Sequence, residues 1–351
     1  MADPGSKRNS TTNGPTARDE PPSPEQDEWS SFIPPSHLPI THPYLSRHHP
    51  SSSFLHARNI SSNSLTTTPT AHFGNPSHPV AFTLGNGGAG YTGLLKPLCA
   101  QFIRHHGNDF RVGWVPNHSR HSQVALLGDV VQVALTYEPE WEGVMEGEGW
   151  GRVVGGGAVF WDHFVLVGPR GDPAGLGGGG GGLDVRKALG KVAEGGEGVK
   201  FFSRGDGSAT FTKEQQFWKD LDVDAEAVEC IETHAFPPLK ALINAEEGSA
   251  YMLSDRSTYL TAKRDGSIAN MRAYVEGGKD LLNPCSVSVN TRVPDSQSQR
   301  IAVRFAEWLS EPTAQGIFRG YGRVWEIGLP LFTGKDREEF GDEEELVGRE
   351  L

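Results

Sequence analysis

From residue 79 onward the apolar positions follow two alternating rhythms. Short apolar runs of strand length are separated by stretches in which apolar residues recur three and four positions apart. The runs are AFTL (81–84), FRVGWV (110–115), DVVQVAL (129–135), VFWDHFVLVG (159–168), KFFS (200–203), AYML (250–253) and CSVSVN (285–290). Between them, 92–106 places Leu94, Leu95, Leu98, Phe102 and Ile103 on one helical face. Segments 117–127 and 212–219 also read as helical, Asp184 caps a further helix, another spans 238–247, and 296–309 aligns Ile301, Phe305 and Trp308. Strands alternating with helices predict an α/β protein with a mainly parallel sheet covered on both faces.

Residues 1–78 show neither rhythm. They are dominated by Ser, Thr, Pro, His and Asn, with PPSP at 21–24 and TTTPT at 66–70, and are expected to be a disordered low-complexity segment because they bury too little apolar surface to offset ordering entropy. Two glycine runs, GGG at 155–157 and six glycines at 177–182, read as linkers or loop tips. The chain has 351 residues and a net charge of −12. Segment 335–351 holds eight acids against three bases and reads as a solvated acidic tail. The remainder is acidic as well, which argues against a nucleic-acid surface. Cys99, Cys230 and Cys285 lie far apart without a Cys-x-x-Cys spacing, so neither a zinc site nor a disulfide framework is expected. The polar N-terminus shows no secretory signal and no run is long enough to span a membrane, so the chain as written is expected to be cytoplasmic.

Candidate chemistry begins at VAFTLGNGGAGYTGLL, residues 80–95. Gly85, Gly87 and Gly90 form G-x-G-x-x-G between a strand and a helix, the spacing that seats a dinucleotide pyrophosphate. That reading needs a carboxylate at the end of the second strand, yet FRVGWV ends in Pro116 and Asn117, and Asp109 precedes the strand. What survives is a glycine loop whose backbone N–H groups form an anion seat. A second seat lies in VKFFSRGDGSATFTKEQQFW, residues 199–218. Arg204 ends a strand, Gly205–Asp206–Gly207 turns, and Ser208 and Thr210 offer hydroxyls ahead of a helix, a set suited to a tetrahedral oxyanion. A capped turn with a surface arginine is the competing structural reading of the same residues.

Four ordered motifs then carry a resemblance. FFSRGDGSAT (201–210) is similar to FVSRGDDSGT, FVLVGPRGDPAGL (164–176) to FVIVGPxxDPAG, AYMLSDRSTYL (250–260) to AYTLTDRGTYL, and LLNPCSVSVN (281–290) to LFNPYGVIAVN, all in the tungstate-binding substrate-binding proteins of oxyanion ABC transporters. The resemblance runs from about 81 to 331. It implies a two-lobed periplasmic-binding-protein-like fold of type II, with two crossover strands and a ligand cleft between the lobes. Lobe 1 would comprise about 80–163 plus 288–334 and lobe 2 about 164–287, within a domain at 79–334.

The implied function is binding of tungstate, molybdate or a similar tetrahedral oxyanion by a non-enzymatic monomer that needs no cofactor, no metal and no catalytic residue. A membrane permease is the implied partner. The alternatives are an enzyme on the same fold acting on a phosphorylated small molecule, and a degenerate interaction module that no longer binds an anion. Carried over by position, Arg204, Ser208 and Thr210 match the anion contacts. The family's hydroxyl-rich first loop corresponds to the glycine loop, so backbone at Gly87 and Gly88, the Asn86 amide and Thr92 are the expected contacts there. NHSRHS (117–122) replaces a small turn, with Ser119 or Arg120 as further candidates to face the cleft. Asp255–Arg256 is read as fixing a turn, with cleft contact as the alternative, and His163 as structural, while for Tyr91 cleft wall, surface and core all stay open.

Overall fold

The computed structural model describes residues 66–178, 183–292, 295–349 and 351. Expectations for 1–65 and for most of the six-glycine run fall outside these residues. The first half of the chain runs β1 (Ala71–Phe73), β2 (Val80–Gly85), α1 (Gly88–Tyr91), α2 (Leu95–His105), β3 (Arg111–Val115), α3 (Ser119–Leu127), β4 (Val133–Thr136), α4 (Pro139–Gly147) and β5 (Gly151–Pro169). It continues through α5 (Val185–Ala193), β6 (Phe201–Ser203), α6 (Ala209–Asp220), β7 (Ile231–Thr233), α7 (Pro238–Glu247), β8 (Met252–Asp255), α8 (Arg256–Arg264), β9 (Met271–Val275), β10 (Leu282–Asn290), α9 (Gln297–Trp308), α10 (Pro312–Gly320) and β11 (Thr333–Gly334).

The main sheet has the order β1-β3-β2-β4-β10-β5-β11. β2 lies parallel to β3 and β4, and β10 enters antiparallel between β4 and β5. Two helical faces cover it. On α2, Leu95, Leu98, Cys99, Phe102 and Ile103 are buried, and Phe102 meets Phe82, Phe305 and Trp308 at ring distances of 6.4, 5.0 and 5.5 Å. Those contacts join α2 and α9 to the sheet, and burying aromatic rings of this size supplies much of the hydrophobic stabilisation.

Two strands connect the lobes. β5 is 19 residues long and pairs with β10 from Gly151↔Asn290 to Leu282↔His163, after which Phe164–Pro169 pairs with β8 and β9 instead. The second sheet extends from β8 to β6 through a parallel bridge between Phe201 and Tyr251, and then to β7. Its own core contains Phe164, Leu166, Leu189, Val192, Phe201, Phe217, Trp218 and Leu253. The result is the two-lobed α/β architecture that the motifs implied, but the sheets are mixed rather than mainly parallel. β2 is parallel to β3 and β4, whereas β10 runs antiparallel to β4 and β5, and β5 antiparallel to β8, β9 and β11, because the crossing strands reverse direction between the lobes.

Three segments differ from the sequence reading. GGG at 155–157 is part of β5 rather than a linker: Gly155 and Gly156 have φ of +83° and +74°, and the β5–β10 register shifts beside them. Positive φ without a Cβ penalty lets the strand bulge and bend there. Residues 66–78, expected to be disordered, include β1, which pairs antiparallel with β3, and Pro69 packs over Gly113. The acidic segment packs as well. Glu344 accepts from Arg323 and from Arg337, Glu276 accepts from the backbone of Leu346 and Val347, and Leu346 is buried. Within the segment Glu344 is matched by Arg323 and Arg337 and Asp336 by Arg319, and Glu276 from outside it takes up the backbone donors of Leu346 and Val347.

Candidate functional site

Between the lobes lies a cavity of about 450 Å³. Its lobe-2 wall is the turn that joins β6 to α6. Gly205 and Gly207 both take positive φ, +56° and +66°, which brings Arg204, Asp206 and Ser208 onto one side. Arg204 is only 2% exposed. Its Nη2 donates to Asp206 Oδ2 at 2.5 Å, while its buried Nε has no hydrogen-bond partner among the described residues. Asp206 Oδ1 accepts from Ser208 N at 3.1 Å, and Ser208 Oγ caps α6 by accepting from Phe211 N at 3.3 Å. A capping hydroxyl spends a lone pair and keeps its proton, so Ser208 can still donate into the cavity. Thr210 lines the same wall.

Behind the turn, Glu214 is fully buried and accepts from Trp218 Nε1 at 3.2 Å and from the Arg204 backbone N at 3.4 Å. Burial pushes its carboxyl up to about 7. Holding the Arg204 backbone from behind fixes where the guanidinium enters the cavity.

The lobe-1 wall uses Gly87, Gly88 and the loop at Asn117, His118 and Ser119. A Cβ at Gly87 would stand 3.0 Å from Asn117 O and 3.1 Å from His118 Cα, so only glycine lets the two loops approach this closely. Asn86 and Thr92, expected as ligand contacts, instead brace the loop. Asn86 Nδ2 donates to Leu135 O at 3.0 Å and its Oδ1 accepts from Gly90 N at 2.7 Å; Thr92 Oγ1 donates to Ala89 O at 2.7 Å. Neither lines the cavity, because a glycine-rich loop without hydroxyls needs side-chain partners for its own backbone. Tyr91 and Ser119 do line it, whereas Arg120 turns away to Glu138 at 3.2 Å and lies 4.6 Å over the Trp141 ring.

The crossing strands and their neighbours supply Asp255, an alternative contact in its motif, and three residues that no local motif singled out. Asp162 from β5, Asn283 from β10, Asp255 from the end of β8, and Tyr137 face the cavity. Side chains alternate along a strand, so His163 points the other way, where its Nε2 lies 2.6 Å from Glu338 O and burial lowers its imidazole to about 4. Arg256 likewise faces away, pairing with Glu276 at 2.7 Å and lying 3.9 Å over the Phe340 ring.

Asp162 and Asp255 share one hydroxyl. Ser257 Oγ is 2.6 Å from Asp162 Oδ2 and 2.7 Å from Asp255 Oδ1, but it has a single proton to donate. One of the two carboxyls must therefore donate to it. Burial first, and then the Asp255 carboxylate, push Asp162 well above the usual range, which favours the proton on Asp162 over Asp255. Across the cavity mouth, Thr212 Oγ1 donates to Glu138 Oε1 at 3.1 Å, a hydrogen bond between the two lobes.

The chain can now be placed. A two-lobed α/β frame with an arginine-bearing helix start in its interlobe cleft is the arrangement of a ligand-binding protein. Residues 74–311 match the PBP superfamily domain. The tungstate-binding protein TupA of Peptoclostridium acidaminophilum is 31% identical over 246 residues, covering 69% of this chain and 81% of that protein. Among solved structures, tungstate-binding protein TupA from Desulfovibrio alaskensis G20 superposes with a TM-score of 0.60 at 25% identity, over 74% of this chain and 99% of that one. The tungstate ABC transporter from Geobacter sulfurreducens gives a TM-score of 0.60 at 26% identity, over 70% and 100%. This chain belongs to the PBP superfamily and, within it, to the family that includes TupA. These relatives bear the names of binding and transport proteins rather than of enzymes.

Proposed function

We propose that the chain binds a tetrahedral oxyanion, tungstate or molybdate, by closing its two lobes around it. The observation that carries this reading is the Arg204 guanidinium, buried in the cleft with Nε unpartnered among the described residues. A buried donor left unsatisfied costs on the order of 1–3 kcal/mol, more for a charged group, and an anion in the cavity would remove that cost. Ser208 and Thr210 would donate hydroxyls from the same wall, and backbone at Gly87 and Gly88 would close the opposite side. Asn86 and Thr92 would act through the loop they brace. The names of TupA and of the solved tungstate binders support the choice of anion.

In this reading lobe 1 comprises about 80–163 with 288–334, and lobe 2 about 164–287. The binding unit in this reading is a monomer. A membrane permease is the partner to which such a protein would deliver its anion, as the transporter name of the Geobacter structure supports.

A thermal-shift screen with tungstate, molybdate, sulfate, phosphate and NAD tests the proposal. A ligand that binds only the folded state at 100 times its Kd adds about 2.7 kcal/mol of stability. Tungstate or molybdate should raise the melting temperature by several degrees and NAD should not; no shift with any tetrahedral anion would remove the proposal.

A further inference from the structure

The charges lining the cavity do not match a dianion. Its basic side chains among the described residues are Arg204 and His118, and its carboxyls are Asp162, Asp206 and Asp255. Asp206 already engages Arg204, so among the described residues Arg204 is the one formal cation facing a ligand of charge −2. His118 sits on the opposite wall, half-buried and open to the cavity. Its ring stands edge-on to His121 with centroids 4.0 Å apart and nitrogens within hydrogen-bond contact of His121 Nδ1.

We propose that His118 is a ligand contact that takes up a proton as the oxyanion enters, so that the closed cleft holds the dianion between the Arg204 guanidinium and the His118 imidazolium. The inference rests on the oxyanion reading of the cleft. Burial first, then the charges of His121 and Arg120 on its own helix segment and Arg204 across the cavity, hold the imidazole neutral, well below its usual range. Of the other groups near that wall, Glu138 is committed to Arg120 and Thr212, and Asp206 to Arg204. A dianion reverses the sign of the field at His118. Both ring nitrogens of His118 lie within hydrogen-bond contact of His121 Nδ1, so in this proposal the ring turns as the anion enters and one N–H donates to the anion. The proton comes from solvent buffer and returns to it on release, and no covalent bond changes.

Linkage fixes the sign. If binding takes up a proton, affinity falls as pH rises, by as much as tenfold per unit between the free and bound values of the imidazole. Tungstate itself remains a dianion at neutral pH, so its own titration does not imitate the effect.

The test is calorimetry of sodium tungstate with the full chain at pH 7, in buffers of small and of large ionisation enthalpy, beside His118→Gln. About one proton should be taken up per tungstate by the native protein and none by His118→Gln, which keeps a hydrogen-bond donor and should bind about tenfold more weakly. Melting curves establish that the variant is folded. Tungstate binding without proton uptake, or uptake that persists in His118→Gln, overturns this inference and leaves the oxyanion reading standing. Absence of tungstate binding in the native protein overturns both.

Discussion

Thr212 on α6 donates its hydroxyl to Glu138 at 3.1 Å, and the same carboxylate oxygen accepts from Arg120 at 3.2 Å, so one acid ties the two lobes together across the cleft. Removing the donor should favour the open form. Thr212→Val is expected to weaken tungstate binding two- to tenfold, chiefly through faster release, as stopped-flow dissociation would show. Unchanged release would mean that the bond contributes nothing to closure.

Glu138 also makes stability depend on pH. Burial raises its carboxyl from 4.5 to about 7, against the opposing effects of Arg120 and Thr212. A folded-state value above the unfolded one means that the folded protein binds the extra proton. Its contribution is therefore fully present below about pH 4.5 and is lost as pH rises through about 7. Glu138→Gln should flatten the fall in urea-unfolding stability between pH 5 and pH 8, by on the order of 2 kcal/mol. An identical slope in the variant would contradict the assignment.

A protonated Asp162 predicts an unusual tolerance. In Asp162→Asn the amide oxygen can still accept from the backbone N of His163 and Ser257, and the amide nitrogen can donate to Ser257 Oγ, which is then free to donate to Asp255. Because the folded-state carboxyl is raised, the native protein loses this residue's contribution to stability as pH increases and the variant has no such contribution to lose. Asp162→Asn should therefore be within about 1 kcal/mol of native at pH 5 and more stable at pH 8. Strong destabilisation at both values would show that the residue is needed as a carboxylate.

Asn117 clips the start of the described chain to the cavity rim. Its side chain accepts from Thr66 N at 2.8 Å and donates to Thr66 O at 2.7 Å, and Thr66 itself lines the cavity. Asn117→Ala removes both bonds, worth about 1 kcal/mol each. Hydrogen exchange at the Thr66 amide should accelerate by tenfold or more, whereas exchange in β3 should change little. Equal protection of Thr66 in both proteins would contradict the clip.

The legibility of this molecule followed the range of its interactions. The Arg204 turn could be read because its glycines, hydroxyls and helix start lie within seven residues of sequence, and the alternation of apolar runs gave β2–β6, β8 and β10 but not the short or more polar β1, β7, β9 and β11. The Asp162–Ser257–Asp255 cluster could not, since its members meet only when β5 crosses between the sheets. Asn86 and Thr92 carry polar groups in the expected loop, yet the curl of that loop turns them onto backbone atoms. The acidic end looked like a free tail because the arginines that match it, at 256, 323 and 337, are distributed along the chain.

Titrating the native protein and Arg204→Ala with sodium tungstate by calorimetry addresses the central claim most directly. Among the described residues the buried guanidinium is the one permanent cation on the cavity wall, and charge-assisted hydrogen bonds contribute roughly 1.5–3 kcal/mol each, so losing two should weaken binding by at least about a hundredfold. The account predicts one tungstate per chain for the native protein and no measurable heat for a folded Arg204→Ala. Equal affinity in the two proteins would contradict it.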